Sequence, residues 1–128
     1  MKQYLSTLAL LLVAAPAAAE WTELGGNDTV TFYADTATLA TAGGIASMWT
    51  LVSSKTPRSN GEVKFSSIRT RFEFDCAGQR IRELESRFHA GEMGEGAVVG
   101  GHAEAGAWEP LAEGSVKHEV AQLACKKG

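Results

Sequence analysis

Between Ile68 and Cys76 apolar or small residues occupy every second position, namely Ile68, Thr70, Phe72, Phe74 and Cys76, while Arg69, Arg71, Glu73 and Asp75 fall between them. Side chains on a strand point alternately to its two faces, so this period of two predicts a strand with one buried and one charged face. The segment Arg80 to His89 reads two ways, because Ile81, Leu84 and Phe88 also fit helical spacing. A two-residue turn at Ala77-Gly78 decides between them. It sets Asp75 opposite Arg80, Phe74 opposite Ile81 and Glu73 opposite Arg82. One bulge near Arg82-Glu83 then brings Phe72 to Leu84, Arg71 to Glu85, Thr70 to Ser86 and Ile68 to Phe88. A helix explains none of these matches, so the expectation is a long bulged hairpin from Glu62 to His89. Val63 and Phe65 are out of phase with its apolar face; either they pack on the other side or a bulge at Ser66-Ser67 shifts the phase.

Weaker patterns flank the hairpin. Trp21 to Leu24 reads as a short strand, Gly25 to Asp28 as a turn, and Thr29 to Tyr33 as a β-branched and aromatic strand. Asp35 is placed to cap a short helical turn through Leu39, and Gly43-Gly44 punctuates the chain. Ile45 to Val52 reads as another strand, with Met48 and Leu51 as its apolar positions and Trp49 on the opposite face. Thr56 to Gly61 reads as an exposed polar loop. Gly91 to Gly106 holds six glycines in sixteen residues, a flexible loop with Ala97 to Val99 as a short strand inside it. Trp108 to Leu111 reads as a further strand. Ser115 is an N-cap, and the helix beyond it places Val116, Val120, Leu123 and Ala124 on one face, with Lys126 and Lys127 at its C-terminal end. The expected fold is α+β: an antiparallel β-sheet with a long bulged hairpin, packed against a C-terminal α-helix.

Residues 1–19 follow a different pattern. Lys2 is a positive head, Leu8 to Ala15 an apolar run, Pro16 a break, and Ala17-Ala18-Ala19 a small-residue cleavage site before Glu20. This predicts a cleavable signal peptide over 1–19 and one exported domain over 20–128. The apolar run is too short to span a bilayer, and no other segment approaches the necessary length. Removing Lys2 from twelve bases leaves eleven against fifteen acids, a net charge of −4. An acidic chain with no basic block is a poor partner for nucleic acid or an anionic membrane surface. In an oxidising compartment the two cysteines, Cys76 and Cys125, are expected to form one disulfide. The bond closes a loop of about 50 residues, a stabilisation of about 4 kcal/mol on loop-entropy grounds.

Candidate chemistry is sparse. His89, His102 and His118 match no compact zinc spacing and are read as exposed polar residues, so no metal site is assigned. Gly94-x-Gly96 lacks the strand and helix a phosphate loop requires, and no serine sits in a nucleophile elbow. Asp75 and Glu73 are accounted for as partners of Arg80 and Arg82. The chain therefore reads as non-catalytic, with no cofactor. Trp21, Trp49 and Trp108 read as core or core-edge packing. What remains is a surface: Arg69, Arg71, Arg80, Arg82 and Arg87, with Glu73, Asp75, Glu83 and Glu85, on one face of the hairpin. Arg69, Arg71 and Arg87 are the candidate binding residues, since arginine suits interfaces and carboxylate recognition. The competing reading of the same face is a solvated ladder of ion pairs. The loops Thr56 to Gly61 and Gly91 to Gly106 are the alternative locations.

The spacing of landmarks along residues 20–128 resembles the bacterial surface-adhesin protein E family. These are Trp21, Phe32-Tyr33-Ala34-Asp35, Trp49, Phe65-Ser66-Ser67, Phe74-Asp75-Cys76 with Arg80 and Arg82, Trp108-x-Pro110, Gly114-Ser115 and Cys125. The resemblance implies an antiparallel sheet packed with a helix, the Cys76–Cys125 bond, and a place in the periplasm, at the outer-membrane surface or outside the cell. It also implies a binding module for host extracellular matrix or serum proteins. The alternatives are a periplasmic structural or small-ligand-binding protein sharing only the fold, and a small hydrolase or metal-binding protein.

Overall fold

A computed structural model describes residues 20–127; the expected signal peptide lies outside the described residues. The strands are β1 (Trp21–Gly26), β2 (Val30–Ala42), β3 (Ile45–Asn60), β4 (Val63–Asp75), β5 (Arg80–His89), β6 (Val98–His102) and β7 (Glu109–Pro110), followed by the helix α1 (Val116–Lys127). They form one antiparallel sheet in the order β1-β2-β3-β4-β5-β6, with β7 also pairing β5. From β1 to β5 successive strands are neighbours because the turns between them are short. Gly43 and Gly44, at φ of 59° and 81°, make the tight β2–β3 turn that residues with side chains rarely adopt.

The long hairpin forms with the expected charge pairing. Asp75 faces Arg80, Glu73 faces Arg82, Arg71 faces Glu85, Thr70 faces Ser86 and Ile68 faces Phe88. The bulge differs from expectation by one residue: Phe72 meets Glu83, not Leu84, and Leu84 is the unpaired extra residue. Glu83 therefore leaves the charged face. Its carboxylate accepts hydrogen bonds from Ser86 Oγ at 3.0 Å and His102 Nε2 at 2.9 Å, groups that the hairpin pattern alone does not bring near it.

Three other expectations need correction. Asp35 to Leu39 is not a helical turn but part of β2. Asp35 still accepts the Ala37 N–H at 3.1 Å, and Thr38 Oγ1 accepts the Trp49 N–H at 3.0 Å, so the capping chemistry closes a bulge inside a paired strand. Thr56 to Gly61 is exposed but mostly strand, with Arg58, Ser59 and Asn60 paired to Phe65, Lys64 and Val63. The register slip sits on β3 between Ser53 and Arg58, and Phe65 stacks on Phe88 with centroids 4.8 Å apart. Met48 and Leu51 are both buried, but on opposite faces, Leu51 sharing that of Trp49.

One face of the sheet carries the helix. Ala34, Ala46, Met48, Phe74 and Ile81 meet Val120, Ala121 and Ala124 in one buried cluster. The four alanines keep the helix close, since none has a side chain long enough to lift it. Ser115 Oγ accepts the His118 N–H at 3.2 Å, the expected N-cap. Ala121 is buried beside Val120 and Ala124, Leu123 packs half-buried against the same cluster, and Val116 is exposed. The Cys76–Cys125 bond, with Cα atoms 5.7 Å apart, ties the end of α1 to the end of β4.

Candidate functional site

The face opposite the helix is built by β4 and β5. Its side chains share a face only because of the Leu84 bulge: Arg80 and Arg82 precede it at even positions, Glu85, Arg87 and His89 follow at odd ones. Away from the hairpin turn the cross-strand rungs run Asp75–Arg80, Glu73–Arg82, Arg71–Glu85, Arg69–Arg87 and Ser67–His89.

The first rungs are closed ion pairs, Arg80 to Asp75 at 2.7 Å and Arg82 to Glu73 at 2.7 Å. Asp75 also accepts the Gly78 N–H, and its pKa is held below the usual carboxylate value, first by the Arg80 hydrogen bond and then by Gly78. Trp108, just before β7, lies under both guanidiniums, 5.0 Å from Arg80 and 4.6 Å from Arg82. It is a stacking platform rather than core packing.

The later rungs differ. Arg69 and Arg87 face each other directly, like charges on one rung, and both guanidiniums lie over the Trp49 ring at 5.3 and 5.5 Å. Trp49, read as core or core-edge packing, is half-buried and forms a second platform. Arg87 is paired with Glu85 at 3.0 Å. Arg69 has no carboxylate partner among the described residues; its Nε donates to His89 Nε2 at 3.0 Å. Partial burial lowers its pKa most, with Arg87 adding to the effect and Glu85 opposing it. Arg71, opposite Trp49 on β3 and Glu85 on β5, makes no ion pair among the described residues. Arg69, Arg71 and Arg87 are thus brought together, with more positive charge than the local carboxylates balance.

His89 is not the exposed residue the sequence suggests. It is 4% exposed, beneath residues 91–96, which fold back over the end of this face. Ser67 Oγ donates to Gly91 O at 2.6 Å and accepts the Gly94 N–H at 2.8 Å, while Ser53 Oγ accepts the Met93 N–H at 3.0 Å. This part of the glycine-rich stretch is anchored rather than loose. Gly94 is required there, since its φ is 73° and a Cβ would lie 3.1 Å from Arg69 Cδ. Burial lowers the His89 pKa most, and Arg69 and Arg87 lower it further against the Gly96 carbonyl. The ring is neutral at pH 7, with Nε2 as acceptor for Arg69 and Nδ1 directed at Gly96 O.

On the helix side, a cavity of about 360 Å³ opens between α1 and the sheet, lined by Phe32, Val52, Phe72, Val116 and Val120 among others. Its walls come from five segments distant in sequence, which the local patterns did not assemble. Among the described residues no cluster of three or more His, Cys, Asp or Glu could hold a metal. No helix among them is long and apolar enough to cross a membrane.

Comparison with known proteins gives a match to the family described as surface-adhesin protein E, over residues 21–126. Among solved structures the chain is similar to Haemophilus influenzae protein E, with TM-score 0.62 and 16% identity over 84% of each chain. A second crystal form of that protein gives 0.60 and 15%, over 75% of this chain and 80% of that one. Protein E from non-typeable Haemophilus influenzae gives 0.59 and 15%, over 81% and 75%. At these identities the likeness is one of fold. A search of curated proteins gives no match.

Proposed function

The chain belongs to the surface-adhesin protein E family, and from that premise we propose that it is an exported, non-catalytic binding module which attaches to host extracellular matrix or serum proteins through the arginine face. The leader over residues 1–19 directs export by cleavage before Glu20. The disulfide fits an oxidising compartment.

The observation that carries the reading is the unbalanced charge around Trp49. Like charges directly opposite on a sheet are unfavourable, yet Arg69 faces Arg87, and Arg71 beside them has no ion-pair partner among the described residues. An acidic segment of a partner protein relieves that repulsion. The aromatic platform beneath holds the guanidiniums in place before it arrives. The rungs nearer the turn, whose charges are closed on themselves, serve as scaffold.

The test combines location and charge. Protease shaving of intact cells should remove the protein, and Arg69→Glu, Arg71→Glu and Arg87→Glu together should slow association with immobilised matrix proteins and weaken its salt dependence. Arg80 and Arg82 are left in place to keep the turn intact. A protein retained wholly in the periplasm excludes adhesion, and unchanged binding by the folded triple variant moves the site off this face.

A further inference from the structure

Helix α1 does not close on the sheet along its whole length. Ala121 and Ala124 bring its C-terminal half into the buried cluster. At its N-terminal end Val116, exposed, and Val120 stand over Phe32, Val52 and Phe72, and between them lies the cavity of about 360 Å³. Interiors pack with few voids larger than a water molecule. An open space of this volume with almost wholly apolar walls is instead at the small end of ligand sites.

Lys117 stands at its rim. The Nζ lies 6.0 Å from the centroid of the Phe72 ring, itself a wall of the cavity. A second recess of about 200 Å³ shares Phe72, Ile81 and Lys117 with the first, and adds Arg82, Glu83, His102 and Glu109. Arg82 is closed on Glu73, and His102 is bonded to Glu83. Among the described residues Lys117 has only a loose partner, Glu109 at 3.9 Å, with the two side chains 52% and 64% exposed. Lys117 is also two residues past the N-cap, where the helix dipole disfavours a cation. The helix carries this lysine at some expense of its own stability, at the junction of an apolar cavity and a polar recess.

We propose that this cavity binds a single-chain amphiphile with a carboxylate head, of the fatty-acid class. The acyl chain lies between α1 and the sheet, and the carboxylate meets Lys117. The volume suits one chain rather than two. The site is on the opposite side of the sheet from the arginine face, so it stands independently of the adhesion reading.

The test uses the mature chain, stripped of bound lipid, and a fluorescent polyene fatty acid that brightens in apolar surroundings, beside the uncharged alcohol of the same length. One probe should bind per chain, saturably. Val116→Trp blocks the mouth at an exposed position and should abolish binding of both probes. Lys117→Glu should weaken the fatty acid by about fivefold, as expected of a half-exposed ion pair, and leave the alcohol unchanged. The same variant should melt at a higher temperature, because glutamate suits the first helical turn. Glu109→Gln should tighten the fatty acid. Absence of saturable binding, or binding indifferent to Val116→Trp in a chain with an unchanged melting curve, overturns the site. Equal loss of acid and alcohol in Lys117→Glu overturns the head-group assignment.

Discussion

Arg69 donates its Nε hydrogen to Nε2 of His89 at 3.0 Å, so a cation of the arginine face is oriented by a neutral imidazole and not by a carboxylate. A carboxylate would cancel the charge it positions. The imidazole leaves the charge intact, provided that it stays unprotonated. Burial beneath residues 91–96, together with Arg69 and Arg87, keeps it so by lowering the His89 pKa.

Acidification should therefore destabilise the fold. Because the folded pKa of His89 lies below the unfolded value of about 6.5, the unfolded chain takes up the proton first, and stability falls as pH drops from there towards the folded value. Urea melts at a series of pH values should show this loss, and His89→Gln should flatten it. Asp75, whose pKa is lowered first by the Arg80 hydrogen bond, contributes stability that is lost only below its ordinary value of 3.8, so its loss sets in at lower pH than that of His89. An equal pH slope in the His89→Gln chain would assign the loss to other groups.

Replacing Cys76 and Cys125 together by serine should lower stability by about 4 kcal/mol, because the unfolded chain regains the freedom of a loop of 49 residues. The expected sign in thermal melts is a large fall in midpoint, reproduced in the unaltered protein by a reducing agent. A fall below about 1 kcal/mol would mean that α1 docks without the bond.

Deleting Leu84 should leave the charged face in place. Glu83 then runs directly into Glu85, so the register that pairs Asp75 with Arg80 continues unbroken through Arg71–Glu85, Arg69–Arg87 and Ser67–His89, with every side chain on its present face. The cost is that of the lost bulge and one half-buried leucine, about 2 kcal/mol or less. Circular dichroism and urea melts of the deletion variant check this, and an unfolded chain would mean that the local twist of the bulge is itself required.

Ala124→Leu should destabilise by about 1–3 kcal/mol through overpacking, because the helix stands on alanines with no room beneath them. The binding proposed for the arginine face should be unaffected in the folded fraction, since that face lies across the sheet. Chemical denaturation together with a binding measurement checks both halves.

The sequence by itself determined those features whose cause is local. Alternation from Ile68 to Cys76 made a strand, complementary charges set Asp75 against Arg80 and Glu73 against Arg82, and Gly43-Gly44 could only turn. Ser115 capped a helix, and two cysteines had only each other. The same local chemistry at Asp35 was ambiguous, because a carboxylate that accepts the Ala37 N–H can begin a helical turn or close a bulge. The ladders supplied by β1 and β3 on either side decided for the strand. Which residue bulged was equally undetermined by charge pairing; in the fold, Leu84 is the extra residue, and Glu83 is met by His102 from β6. Strand parity also shows which face a tryptophan occupies, but not what covers that face. Trp49 and Trp108 became platforms for guanidiniums, and His89 became buried, because arginines across the sheet and the returning residues 91–96 lie over them. Burial and charge depend on neighbours that the chain brings together only after many residues, so those assignments belonged to the tertiary structure.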